Sequence, residues 1–220
     1  MKRILVLLYI TLFSACASAE DKEAKVLIVT NMGKITVKLY NETPQHRDNF
    51  IKLVEEHRFD SLLFHRVIKQ FMIQAGDPTS KNSAVGEKLG DGDLDYKVPA
   101  EIVFPRYFNK LGQLCAARES DGSNPARASS ATQFYIVVGK HYTDNELDKF
   151  ELDHNVKFTP EQRQAYKVEG GAPHLDGAYT VFGEVVKGLK IVQQINLVET
   201  DSNDRPVKDV RIKTMKILKR

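Results

Sequence analysis

The chain has 220 residues, of which 42% are hydrophobic and 28% charged, with no Trp and a formal net charge of +3. That balance supports one well-filled core of ordinary domain size. The basic residues form no block, so composition gives no case for a nucleic-acid partner.

The first segment is a targeting pattern. Met1-Lys2-Arg3 is a short basic start, Ile4 to Phe13 is an apolar run interrupted only by Thr11, and Ser14 to Ala19 are small residues. Residues 1–19 therefore read as a secretory signal, too short to span a bilayer as a stable helix. Two cleavage readings compete. Leu12-Phe13-Ser14-Ala15-Cys16 resembles a bacterial lipobox with an unusual Phe13, and would leave Cys16 as a lipidated first residue. Ala17-Ser18-Ala19 suits ordinary signal peptidase, cutting before Glu20. Residues 20–25 then form a polar tether. The lipobox reading is the favoured one. It implies an exported chain, periplasmic or held at a membrane surface in the cell envelope by acyl chains that contribute about 0.8 kcal/mol per buried methylene.

The domain spans 26–220. Val26 to Thr30 and Ile35 to Tyr40 read as strands around a turn at Gly33. Thr43-Pro44 starts a helix, with Thr43 as N-cap, that runs to about Arg58. Leu62 to Val67 and Phe71 to Ala75 are short strands, followed by a polar, Gly-rich loop from Asp77 to Asp95. Gly112 to Ala117, Gln133 to Val138 and Tyr179 to Val186 are further strands. A second helix lies around Leu189 to Asn196 and a last strand over Val207 to Leu218. Many short strands with two well-separated helices indicate a barrel or sandwich with helical caps. Residues 140–173 interrupt the pattern: Thr143…Glu146 and Thr159…Gln162 are capping boxes, and Gly170-Gly171 ends the second helix, which predicts an inserted helical hairpin. Cys115 in Leu114-Cys115-Ala116-Ala117 is a small buried hydrophobe, and with Cys16 lipidated or removed it has no disulfide partner.

Phe64-His65-Arg66-Val67-Ile68-Lys69-Gln70-Phe71-Met72-Ile73-Gln74-Ala75-Gly76-Asp77 closely resembles the signature of cyclophilins, a family of peptidyl-prolyl cis/trans isomerases. Ala116-Ala117-Arg118 with Thr132-Gln133-Phe134-Tyr135-Ile136, and His174-Leu175-Asp176-Gly177 leading to Val181-Phe182-Gly183-Glu184-Val185, match two later parts of that family's site in the expected order. The resemblance implies a mainly β fold: a closed eight-stranded antiparallel β-barrel capped by two α-helices, here with the inserted hairpin. It also implies rotation of X-Pro bonds in proline-containing polypeptides, without cofactor or metal, by a monomer that assists the folding of exported proteins. Strand alternation puts Phe64 and Arg66 on one face with His65 on the other, and Met72 and Gln74 together with Phe71 flanking. Arg66 is the expected catalytic donor, its guanidinium always charged and rigidly forked, and Gln74 either orients it or binds substrate backbone. By resemblance Phe71, Met72, Tyr135 and Leu175 line the proline pocket, Ala117 and Arg118 contact the residue before proline through backbone groups, and Gln133 lies beside the site. His65 reads as structural.

Three positions depart from the family pattern. His174 stands where many members carry a Trp on the pocket rim, which implies weak cyclosporin sensitivity; Tyr179 stands where a His is usual; and Tyr135 replaces a Phe, so its hydroxyl needs a partner if buried. The hairpin 140–173, joined to His174, must lie near the rim, either clamping substrate or a partner or as a tolerated surface insertion. A proline-peptide binding module with poor turnover and a structural envelope protein are the competing classes; Arg66 with Gln74 favours the enzyme.

Overall fold

The computed structural model describes residues 23–219, so the predicted signal, both cleavage positions and Cys16 lie outside the described residues. The strands are β1 (Lys25–Thr30), β2 (Lys34–Leu39), β3 (Phe64–Ile68), β4 (Met72–Ala75), β5 (Lys97–Val98), β6 (Gln113–Ala116), β7 (Ser129–Ser130), β8 (Phe134–Val137), β9 (Val181–Lys187) and β10 (Ile212–Lys219). The helices are α1 (Pro44–Glu55), α2 (Asp144–His154), α3 (Pro160–Val168) and α4 (Leu189–Asn196). Ala24 is buried and its carbonyl accepts from Leu39 N–H, while Lys25 already belongs to β1. Lys25, expected as the last residue of a tether over 20–25, is thus the first residue of the sheet, and residues 20–22 lie outside the described residues.

Eight strands form one antiparallel sheet in the order β10-β1-β2-β9-β6-β8-β4-β3, and β5 pairs with β7 apart from it. The sheet curls around a core in which Val26, Ile28, Ile35 and Val37 meet Phe50 and Leu53 of α1 and Val192 and Ile195 of α4. Phe134 stands edge-on to Phe50 and Phe59, with ring centroids 5.4 and 5.7 Å apart. Each such buried ring contributes roughly 1.5–3 kcal/mol.

The expected closed barrel is a curled half-barrel. β3 and β10 are its two edges; among the described residues they share no ladder, and the chains meet just before them at the isolated bridge of Leu63 with Arg211. The chain between α4 and β10 causes this. It runs along β3 as a loop, where Val210 O accepts from Phe64 N–H and Asp204 O from Val67 N–H, both at 2.8 Å. The donors of β3 are thus taken before a strand can pair with them, and the last strand begins at Ile212 instead of Val207.

The N-terminus of α1 also differs from expectation. Thr43 makes no side-chain cap, and its hydroxyl donates to Tyr40 O instead. The free N–H groups of Gln45 and His46 donate to the carboxylate of Glu101 at 3.1 and 2.9 Å, and His46 Nδ1 lies 2.7 Å from the same group. An anion at a helix N-terminus satisfies those donors and complements the helix dipole. Glu101→Ala is expected to destabilise the fold by about 1–2 kcal/mol, read from the urea midpoint.

The hairpin forms as its caps dictate. Both capping boxes are present, and α2 ends at Asn155 in the left-handed conformation. Leu147, Phe158 and Tyr166 make a small core of their own, and Arg163 on α3 pairs with Asp144, Asp148 and Glu151 on α2.

Candidate active site

The floor of the site is the outer face of β6, β8 and β4. Leu114, Ala116, Phe134, Ile136 and Ile73 point into the core, while Cys115, Tyr135, Val137 and Met72 point outward and pack with Leu175 and Val181. Period-two alternation puts the family-like residues on that outer face. Close approach of the chains is possible because Gly76, at φ +103°, has no Cβ; one there would meet Thr132 O at 2.1 Å.

Alternation fails at one place. The register of β3 with β4 shifts between Phe64 and Arg66, so Phe64 enters the core as Val67 does, and Arg66 faces outward opposite Gln74. The expectation that Phe64 and Arg66 share a face is corrected by this bulge, which reverses the sense of alternation.

Arg66, Phe71, Met72, Gln74, Ala117, Arg118, Tyr135, Leu175 and Tyr179 line one cavity of about 140 Å³. That is the scale of cavity that takes a single small ring. Phe71 and Met72 are fixed by Asn196, which sequence places only at the end of the second helix. It is buried, its Nδ2 donates to the carbonyls of Ile68 and Met72 at 2.7 and 3.2 Å, and its Oδ1 accepts from Gln70 N–H at 3.0 Å. This holds the β3–β4 turn, where Gln70 adopts φ +57°.

The polar residues occupy graded positions. Arg66 is half-exposed and its Nε lies 3.4 Å from Asp204 Oδ2, itself half-exposed, a pairing that sequence offered no signal for. Gln74 makes no hydrogen bond to Arg66; its Nε2 donates to Gln133 Oε1 at 2.9 Å, and Gln133 in turn donates to the carbonyls of Gly90 and Gly92. Gln133 therefore stands behind Gln74 and outside the cavity lining. The Arg118 side chain is 4% exposed, donates from Nε to Ala178 O at 2.9 Å, pairs with Asp121 and lies 4.4 Å from the centre of the Tyr179 ring. It braces Tyr179 as well as lining the cavity. Ala117 N–H donates to Gln133 O and its carbonyl accepts from Ser130 N–H, so only the second lone pair of that carbonyl is left for a substrate backbone.

His174 is exposed on the rim, outside the cavity lining, with its ring centroid 5.1 Å from that of Phe71. Burial against its neighbours, with His154 nearby, holds its pKa below the usual histidine value. The buried hydroxyl of Tyr135 has the partner it needs, donating to Asn109 Oδ1 at 3.1 Å. Cys115 is buried and in no disulfide among the described residues, its Sγ donates to the same Asn109 Oδ1 at 3.4 Å, and burial pushes its thiol far up.

Comparison with known proteins agrees with this geometry. The family described as cyclophilin type peptidyl-prolyl cis-trans isomerase/CLD matches residues 25–217. A protein of Staphylococcus haemolyticus named as a peptidyl-prolyl cis-trans isomerase is 32% identical over 200 residues, covering 90% of this chain and 93% of that one. A counterpart in Staphylococcus aureus is 31% identical over 199 residues, covering 90% and 93%. Among solved structures, a cyclophilin type isomerase of Cryptosporidium parvum superposes with a TM-score of 0.64 at 22% identity, covering 90% of this chain and 99% of its own. Its structure in the presence of the dipeptide Ala-Pro gives 0.62 at 23%, covering 89% and 99%. The chain belongs to the cyclophilin type peptidyl-prolyl cis-trans isomerases and is an enzyme of that activity.

Proposed function

We propose that the cavity beside Arg66 rotates X-Pro bonds in exported polypeptides and so assists their folding. The observation that carries this reading is the convergence of Arg66, Phe71, Met72, Gln74, Tyr135, Leu175 and Tyr179 on one ring-sized cavity from three separate stretches of chain. The X-Pro barrier of ~18–20 kcal/mol arises because the amide nitrogen shares its lone pair with the carbonyl. No bond breaks, so the chemistry asks for no nucleophile. The apolar wall of Phe71, Met72, Leu175 and Tyr135 disfavours the charge-separated planar form. The Arg66 guanidinium holds the substrate carbonyl and offers a donor to the prolyl nitrogen as its lone pair localises. Gln74, held by Gln133, presents a polar edge for substrate backbone. The ion pair with Asp204 does not oppose this, because half-exposed pairs contribute only about 0.2–1 kcal/mol and yield to a substrate. The Ala-Pro dipeptide described with the Cryptosporidium parvum relative supports proline peptides as ligands.

The reading extends to a monomer attached to a membrane surface through lipidated Cys16. Mass spectrometry of the mature N-terminus tests the anchor: an acylated Cys16 supports it, and a free Glu20 removes it. Isomerisation is tested by exchange NMR on an Ala-Pro peptide. The rim predicts poor cyclosporin binding, since an imidazole replaces a larger indole. His174→Trp is expected to tighten inhibition by about tenfold, the order set by one added aromatic contact of ~0.5–1.5 kcal/mol, with turnover of the peptide little changed.

A further inference from the structure

The hairpin is joined to the pocket floor by a largely buried chain of hydrogen bonds. Tyr135 Oη donates to Asn109 Oδ1 at 3.1 Å. Asn109 donates from its Nδ2 and its backbone N–H to Asp176 Oδ1 at 3.1 and 2.8 Å. Tyr166 of α3 donates from Oη to Asp176 Oδ2 at 2.5 Å. Tyr135, Asn109 and Tyr166 are 5%, 1% and 0% exposed and Asp176 between them is half-buried, so most of the chain lies in the interior, where hydrogen bonds are strong and unpaired groups costly. Asp176 directly follows the pocket residue Leu175 and lies three residues before Tyr179. Hairpin and floor also meet at the neck, where a Cβ on Gly171 would come within 2.5 Å of Asn109 O and 2.6 Å of the Tyr166 ring.

We infer that the inserted hairpin is part of the active-site scaffold, with Tyr166 a positioning residue that acts through Asp176 and Asn109 to place the Tyr135 ring and Leu175 on the floor of the proline pocket. This rests on the reading of the cavity as the proline site. Tyr166 sits on the far side of Asp176 from the cavity and touches no substrate. Its hydroxyl fixes one carboxylate oxygen, and Asn109 fixes the other while accepting from Tyr135. With Tyr166 removed from the chain, Asp176 is free to rotate away from Asn109, and the Tyr135 ring loses its fixed tilt. The device depends on the tyrosine at position 135, since a phenylalanine there offers no hydroxyl for the hairpin to reach.

The test is a double-mutant comparison of kcat/KM on an Ala-Pro peptide in the full chain. Tyr166→Phe is expected to lower kcat/KM about five-fold, the order produced by one lost buried hydrogen bond, with less than a two-fold further loss in a Tyr135→Phe background. Arg163→Ala, which removes the ion pairs of α3 with Asp144, Asp148 and Glu151 without touching the chain and leaves the pair of Lys167 with Asp144 in place, is expected to lower Tm and leave kcat/KM within about two-fold. An unchanged kcat/KM in Tyr166→Phe, an equal loss in both backgrounds, or an equal loss from Arg163→Ala overturns the inference. The ring resonances of Tyr135 give a readout independent of turnover. They should shift in Tyr166→Phe and stay in place in Arg163→Ala, and the reverse overturns the inference. An inactive wild type in which Tyr135 responds to Tyr166→Phe would refute the isomerase reading of the cavity while leaving the coupling intact.

Discussion

Replacing Arg66 with alanine is expected to lower kcat/KM on an Ala-Pro peptide by roughly 10²–10³-fold, the range found when one preorganised donor to a developing charge is removed. The expectation follows from position and chemistry together. Arg66 is the charged donor of the cavity with an exposed guanidinium, whereas Arg118 is enclosed between Ala178, Asp121 and the Tyr179 ring. Stability should hardly change. The side chain is 45% exposed and its ion pair with Asp204 is weak for that reason, so Tm is expected to move by no more than a degree or two. Arg66→Lys keeps the charge but loses the fork that holds a carbonyl and reaches a nitrogen at once, and is expected to restore only a small part of the rate. Equal exchange rates for wild type and Arg66→Ala at matched folding would remove Arg66 from the mechanism.

Acid should destabilise the fold through His65. Its side chain is 2% exposed, and neither ring nitrogen has a hydrogen-bond partner among the described residues. Burial lowers its pKa from the ordinary 6.5 to about 4; Asp77 and the nearby Leu63 backbone, which is not placed for a full hydrogen bond, oppose the shift, while Arg66 and Arg205 add to it. Between those two values the unfolded chain binds a proton that the folded chain refuses. The stabilisation is therefore complete above pH 6.5 and is lost as pH falls toward 4, amounting to about 3 kcal/mol at 1.36 kcal/mol per pKa unit. His46 and His174 are lowered in the same direction, chiefly by burial, so the total acid response exceeds the His65 share. His65→Gln, which does not titrate, isolates that share: between pH 7.5 and 4 its unfolding free energy should fall by about 3 kcal/mol less than that of wild type. Parallel curves for the two proteins would show that His65 finds a proton acceptor in the folded state.

Local chemistry made the elements readable. The hairpin helices start where Thr143 and Thr159 start them because a capping box is closed by residues three apart, and the strands around Cys115 and Tyr135 obey a two-residue period. The cavity was legible through ordered stretches that resemble a known family, since nothing in spacing alone brings Arg66 to Tyr179. What escaped depends on distant partners. Glu101 caps a helix that begins at Pro44, Asn196 holds a turn at Gln70, and Asp204 pairs with Arg66. The bulge in β3 has no compositional mark, and one inserted residue is enough to reverse which side chains face inward. The same holds for closure of the sheet, which a loop decided against although both edge strands were correctly anticipated in kind.

That loop has a consequence for how the molecule behaves among its own copies. An uncovered outer strand offers a ready template on which another chain can add, and such addition is a common route to aggregation. Here Asp204 and Val210 accept from Val67 and Phe64 along that border, so its hydrogen-bonding capacity is met from within. The segment that carries the Arg66 ion-pair partner is thus also the one that keeps neighbouring molecules from zipping onto this edge, and shortening it should lower solubility.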